Sequence, residues 1–111
     1  MEFIKTNIDT SNKREVYRLT KGDSQKIEGL EKGLSIPVEK YAYYEEDGKK
    51  VLTFTSGGAK FGTISATFIK SFIEIVDLMD GESFAIIITG GTSKGGRQYV
   101  NCELDCDWVE N

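Results

Sequence analysis

The run IITGGTSKGGRQYVNCEL, residues 87–104, holds the densest concentration of residue types that could do chemistry. Gly90, Gly91, Gly95 and Gly96 permit unusual turns, and Lys94 and Arg97 put positive charge between two apolar stretches. Three roles suit such a run: a phosphate cradle, a nucleic-acid finger, or a flexible hairpin that binds nothing. A phosphate-binding loop of the Walker type needs GxxxxGK[ST] between a strand and a helix, so that the helix N-terminus faces the phosphate. Here Lys94 precedes the glycine pair and an alternating, strand-forming segment follows. The cradle therefore fails, and a hairpin with a basic tip remains.

Catalysis finds little support. The chain has no histidine, which removes the commonest general base and the Ser-His and Cys-His nucleophile pairs. Cys102 and Cys106 are too few to close a metal site, and a disulfide between them would span a very small loop. Cys102 shares parity with Val100 and Leu104 and reads as a small core residue. The expectation is a protein that is not an enzyme and carries no cofactor and no metal.

Flat rings beside cations suit a different chemistry. If Ile36, Val38 and Ala42 face the core, Tyr41 and Tyr43 stand on the outside of the same strand. Phe61 has the opposite parity to Ile64, which should enter the core, so Phe61 also points outward, beside Lys60. Tyr99 is out of phase with Val100, Cys102 and Leu104. Outward Tyr41, Tyr43, Phe61 and Tyr99, with Lys40, Lys60, Lys94 and Arg97 nearby, would offer stacking faces for bases and charges for phosphates, as single-strand binding requires. The bland alternative is that these rings fill a core, because a one-residue slip at any bulge reverses every side chain.

The elements that must position them follow from periodicity. Residues 1–12 show no sustained period and read as an arm or short edge strand. REVYRLT, 14–20, alternates and reads as a strand that could continue to Ile27. IPVEKYAYYEE, 36–46, is the longest strand, with Pro37 near its start, where a missing N–H matters least. Asp47-Gly48 makes a tight reversal, KVLTFTS returns, and Gly57-Gly58 turns the chain again. In SATFIKSFIEIVDLM, 65–79, Phe68, Ile69, Phe72, Ile73, Val76 and Met79 recur at helical spacing. Ser65 suits the N-cap and Gly81 the C′ position. SFAIIIT and RQYVNCEL then pair across the glycine loop. The resulting fold is mainly β: an OB-like five-stranded antiparallel barrel, with one α-helix between strands 3 and 4. A small α+β sheet crossed by one helix is the alternative.

The 111 residues fit one domain, expected over residues 1–104. No apolar run approaches the ~20 residues needed to span a bilayer, and Met1 is not followed by a basic-then-apolar leader. The expected setting is the cytoplasm, with no membrane partner. Formal charge is −4, unevenly placed: the final nine residues, ELDCDWVEN, hold four acids and no base, leaving 14 basic against 14 acidic side chains. Residues 105–111 read as an acidic C-terminal tail. Asp105, Asp107, Trp108 and Glu110 there could bind a partner, cover a basic groove when ligand is absent, or simply be solvated.

TFTSGGAKFGTISATFIKSFIEIVDL followed by ESFAIIITGGTSKGGRQYVNCEL resembles the small single-stranded-DNA-binding proteins of tailed phages of Gram-positive bacteria, of the protein-primed replication type. The shared features are a glycine turn, an aromatic, an Ile-Ser leading into an apolar helix, then a strand and a Gly-Thr-Ser-Lys-Gly hairpin, over residues 51–104. The resemblance implies an OB-like fold, with sequence-tolerant coating and protection of single-stranded DNA during phage replication in the host cytoplasm. Phe61 takes the place of an aromatic in that pattern and Lys94 that of the loop lysine. Replication proteins would be the further partners, met through the acidic tail. The rival reading is a small phage-type inhibitor of a host enzyme, acting through an acidic, DNA-mimicking surface.

Overall fold

The computed structural model describes residues 1–110; Asn111, the last residue of the expected tail, lies outside the described residues. The chain is mainly β, with eight strands in two sheets that do not close a barrel. Two α-helices stand where one was expected. Backbone contacts divide the chain into two compact units. The first comprises Met1–Lys26 and Val38–Ile64; the second comprises Ile27–Pro37 and the described residues from Ser65 onward.

In the first unit, β1 (Glu2–Thr6), β4 (Lys40–Glu46), β5 (Lys49–Ser56), β6 (Ala59–Thr63) and β2 (Gln25–Lys26) form one sheet in the order β1-β4-β5-β6-β2. The expected N-terminal arm is thus strand β1, antiparallel to β4. Strand β2 runs parallel to β6, so the set is not wholly antiparallel. Both short reversals form as expected. Asp47 and Gly48 take φ of 52° and 76°, and Gly57 and Gly58 take 55° and 84°. Two successive left-handed residues match the twist of the strands they join.

The segment expected as the first strand is instead helix α1 (Lys13–Thr20). Its start was written in the sequence as Asn12 with Glu15 three residues on, a capping pattern. The Asn12 side chain accepts from the Glu15 backbone N–H at 3.2 Å. One turn of helix places Val16 and Leu19 on the inner side, and Leu19 is buried with Ala42 and Tyr44 against Phe3, Ile8 and Val51. Alternation over seven residues cannot distinguish that arrangement from a strand. Burial of Leu19 decides it.

The long strand expected over 36–46 breaks at Glu39. Ser35–Val38 is β3 and belongs to the other sheet, while β4 begins at Lys40. The Glu39 N–H donates to the Thr55 carbonyl at 2.9 Å, and its carboxylate accepts from the Gly57 N–H.

In the second unit β3, β7 (Phe84–Thr92) and β8 (Gln98–Leu104) form a three-stranded sheet, with α2 (Ala66–Met79) packed on β8. The Ser65 hydroxyl caps α2 by accepting from the Phe68 N–H at 3.3 Å. Phe68, Ile69, Phe72, Ile75 and Val76 form its buried stripe, with Phe72 edge-on to Phe84 at 5.9 Å. Ile75 joins the expected set, and Ile73 is only half-buried. Ile64, expected in the core, is exposed. It lies in the connection between β6 and α2, where strand parity no longer applies.

Candidate nucleic-acid interface

Registers in the first sheet decide the fate of most expected contact residues. Tyr41 stands opposite Phe54, and Phe54 opposite Phe61, so all three share one face of the sheet. That face is interior. Tyr41 and Phe61 are each only 7% exposed, and the Phe54 and Phe61 rings stack at 5.3 Å. Neither Tyr41 nor Phe61 has a face free for a base, which corrects the outward parity expected for them. The error was an assumption of one apolar face. Ala42 and Tyr44 are buried on the opposite side beneath α1, so this sheet is buried on both faces and alternation carries no inside-outside signal. Tyr43 is half-buried.

Two expected phosphate ligands are also engaged. The Lys40 ammonium pairs with the Glu15 carboxylate. The Lys60 ammonium donates to the Arg18 carbonyl at 3.0 Å and to the Lys21 carbonyl, closing the carboxyl end of α1, where a cation is favoured.

The β7–β8 hairpin keeps its expected form. Ser93 N–H donates to the Arg97 carbonyl at 2.8 Å and Gly96 N–H to the Ser93 carbonyl at 2.9 Å, while Gly96 takes φ 78°. That is a three-residue loop in which glycine is required at position 96. Lys94 and Arg97 are exposed and, among the described residues, make no ion pair or side-chain hydrogen bond. Tyr99, 45% exposed, faces Gly91 across the ladder. A Cβ on Gly91 would lie 2.7 Å from the Tyr99 hydroxyl and 3.0 Å from its ring carbon Cζ. The phenol end of Tyr99 therefore reaches over the glycine, into space that any side chain at position 91 would fill, while the residue stays nearly half exposed. Lys32, which sequence reasoning passed over, lies against Gly90. No local pattern marked it; the approach of residues 32–34 to β7 brings it there, with Gly33 N–H donating to the Ile88 carbonyl at 2.7 Å.

The hairpin thus gathers Lys32, Lys94, Arg97 and Tyr99. Its unit is otherwise acidic, with four basic against ten acidic side chains, so three of its four cations sit at this end.

The expected tail is tied to the same unit through Asp105. Its carboxylate accepts from the Ser35 hydroxyl at 2.5 Å and from the Asp107 N–H at 3.1 Å, and its own N–H donates to the Ala85 carbonyl at 2.9 Å. Asp105 is therefore a structural anchor. Trp108 is half-buried and lines a shallow groove with Met79, Glu82, Val109 and Glu110. Asp107 and Glu110 are exposed.

Burial raises the Cys102 thiol pKa to about 12, and Cys106 is exposed. Among the described residues no group of His, Cys, Asp or Glu is placed to hold a metal ion, and no helix is long and apolar enough to cross a membrane. Comparison with known protein families, curated proteins and solved structures gives no match for this chain.

Proposed function

We propose that the protein binds single-stranded DNA with little sequence preference, through the β7–β8 hairpin, and coats and protects it during phage DNA replication in the host cytoplasm. The observation that carries this reading is the half-exposed Tyr99, its phenol end seated against Gly91, on the same hairpin as Lys94 and Arg97, cations with no partner among the described residues. An exposed aromatic side chain offers a base a stacking surface, and the cations meet the adjoining phosphates. The mechanism has no chemical step. Base stacking gives sequence tolerance, and counterion release from the phosphates gives salt dependence.

The test is fluorescence anisotropy of labelled oligo-dT and of a duplex of equal length across a salt series. Tyr99→Ala should weaken oligo-dT binding at every salt concentration with the slope unchanged. Lys94→Ala/Arg97→Ala should lower the slope by about 1.4, at ~0.7 per lost contact. Equal affinity for duplex and single strand, or hairpin variants that bind like the parent, sinks the reading.

A further inference from the structure

Helix α1 carries a basic-aromatic stripe that no strand reading of residues 14–20 could reveal. Arg14, Tyr17 and Arg18 fall at i, i+3 and i+4, on one side of the helix. Val16 and Leu19 turn inward, and Glu15 is held by Lys40. Tyr17 is 67% exposed, more than Tyr99, and its hydroxyl and the two guanidinium groups make no hydrogen bond or ion pair among the described residues. Lys21 extends the row but is neutralised by Glu46 at 2.6 Å. The unit itself is net basic, with ten basic against eight acidic side chains.

The helix is also fixed in place, which matters for a contact surface. Asn12 caps its start, Lys60 closes its end, and the Tyr44 hydroxyl donates to the Thr20 carbonyl at 3.4 Å. An exposed tyrosine between two arginines therefore stands on a helix anchored at both ends.

We infer that Arg14, Tyr17 and Arg18 form a second surface for single-stranded nucleic acid, with a base stacked on Tyr17 and neighbouring phosphates on the two guanidinium groups. The two arginines are one turn apart, about 6 Å along the axis, and planar guanidinium groups suit bidentate phosphate contacts. A duplex would offer Tyr17 no base face. An anionic lipid surface would need apolar residues beside the cations, and the exposed side of α1 has only the one ring. The inference rests on the proposed function for the nature of the ligand, not for the location of the site.

The experiment measures labelled oligo-dT binding by anisotropy across a salt series for the parent, Tyr17→Ala, Arg14→Ala/Arg18→Ala, and the hairpin variant Lys94→Ala/Arg97→Ala, each checked for folding by circular dichroism. Tyr17→Ala should weaken binding about five-fold or more at all salt concentrations, from the lower end of base-stacking strengths. The double arginine variant should lower the salt slope by about 1.4. In the parent, amide resonances of residues 13–21 should shift on titration, which keeps the test valid if a variant folds poorly. Helix α1 variants that bind like the parent, with unmoved amides, overturn the inference while a weakened hairpin variant upholds the hairpin reading. The reverse pattern upholds the inference and removes the hairpin. A parent that ignores oligo-dT, or binds phosphatidylserine vesicles in its place, overturns both.

Discussion

Tyr99 and Gly91 face one another in the β7–β8 register, and the phenol lies where a Gly91 side chain would grow, 2.7 Å from its Cβ position. Gly91→Ala should therefore displace the Tyr99 ring without unfolding the unit, because the crowded atoms belong to the end of an exposed side chain. The expected outcome is a near-parental melting temperature with weakened oligo-dT binding. Equal binding by Gly91→Ala and the parent would show that the ring's seat is irrelevant.

Lys60 is expected to act on stability rather than on binding. Its ammonium satisfies the Arg18 and Lys21 carbonyls at the end of α1, and a charged hydrogen bond at a partly exposed site contributes about 1 kcal/mol. Lys60→Met should lower urea stability by that amount and leave the salt slope of hairpin-mediated binding unchanged. A lower slope at parental stability would return Lys60 to the phosphate-binding set.

Asp80 ends α2 in a left-handed conformation, φ 47° and ψ 53°, and puts a carboxylate at the negative end of the helix dipole. Asp80→Gly removes both penalties, against the greater freedom glycine gives the unfolded chain. The net expectation is stabilisation by about 0.5–1 kcal/mol in chemical denaturation. A destabilised variant would mean that the Asp80 carboxylate makes a compensating contact.

The two thiols should separate kinetically. Cys106 is exposed, whereas burial holds Cys102 protonated up to about pH 12. Ellman's reagent at pH 8 should titrate one thiol rapidly in the native protein and two in denaturant. The folded pKa is raised above the ordinary 9.0. The unfolded state therefore loses its proton first, and stability should fall as pH climbs from about 9 towards 12. Cys102→Ala should flatten that part of the pH profile.

Local rules were enough for the short reversals, the α2 cap and the hairpin tip. Asp47-Gly48 and Gly57-Gly58 reverse the chain because their neighbours are strands and their φ angles are open to glycine and aspartate. Ser65 begins α2 through its own hydroxyl, and the 3.6-residue period of Phe68, Ile69, Phe72 and Val76 gives the helix its buried stripe. The hairpin tip at Lys94–Arg97 follows from its glycines and the strands beside it. Helix α1 was also legible at Asn12 and Glu15, but seven alternating residues masked that signal.

Tertiary structure alone decided which side of each strand is inside. Tyr41 and Ala42 are neighbours on opposite faces, and both are buried, because a sheet covered on both sides has no outer parity for sequence to display. The division of residues 36–46 between two sheets at Glu39 depends on partners far along the chain, Thr55 and Gly57. Lys40 and Lys60 were visible as charges, but whether each is free or engaged depends on where the two ends of α1 lie, Glu15 near its start and the Arg18 and Lys21 carbonyls at its close. Lys32 and the Arg14–Tyr17–Arg18 stripe come into view only once long-range pairing has fixed their neighbours, since charge and aromaticity are properties of a residue, whereas exposure is a property of the fold.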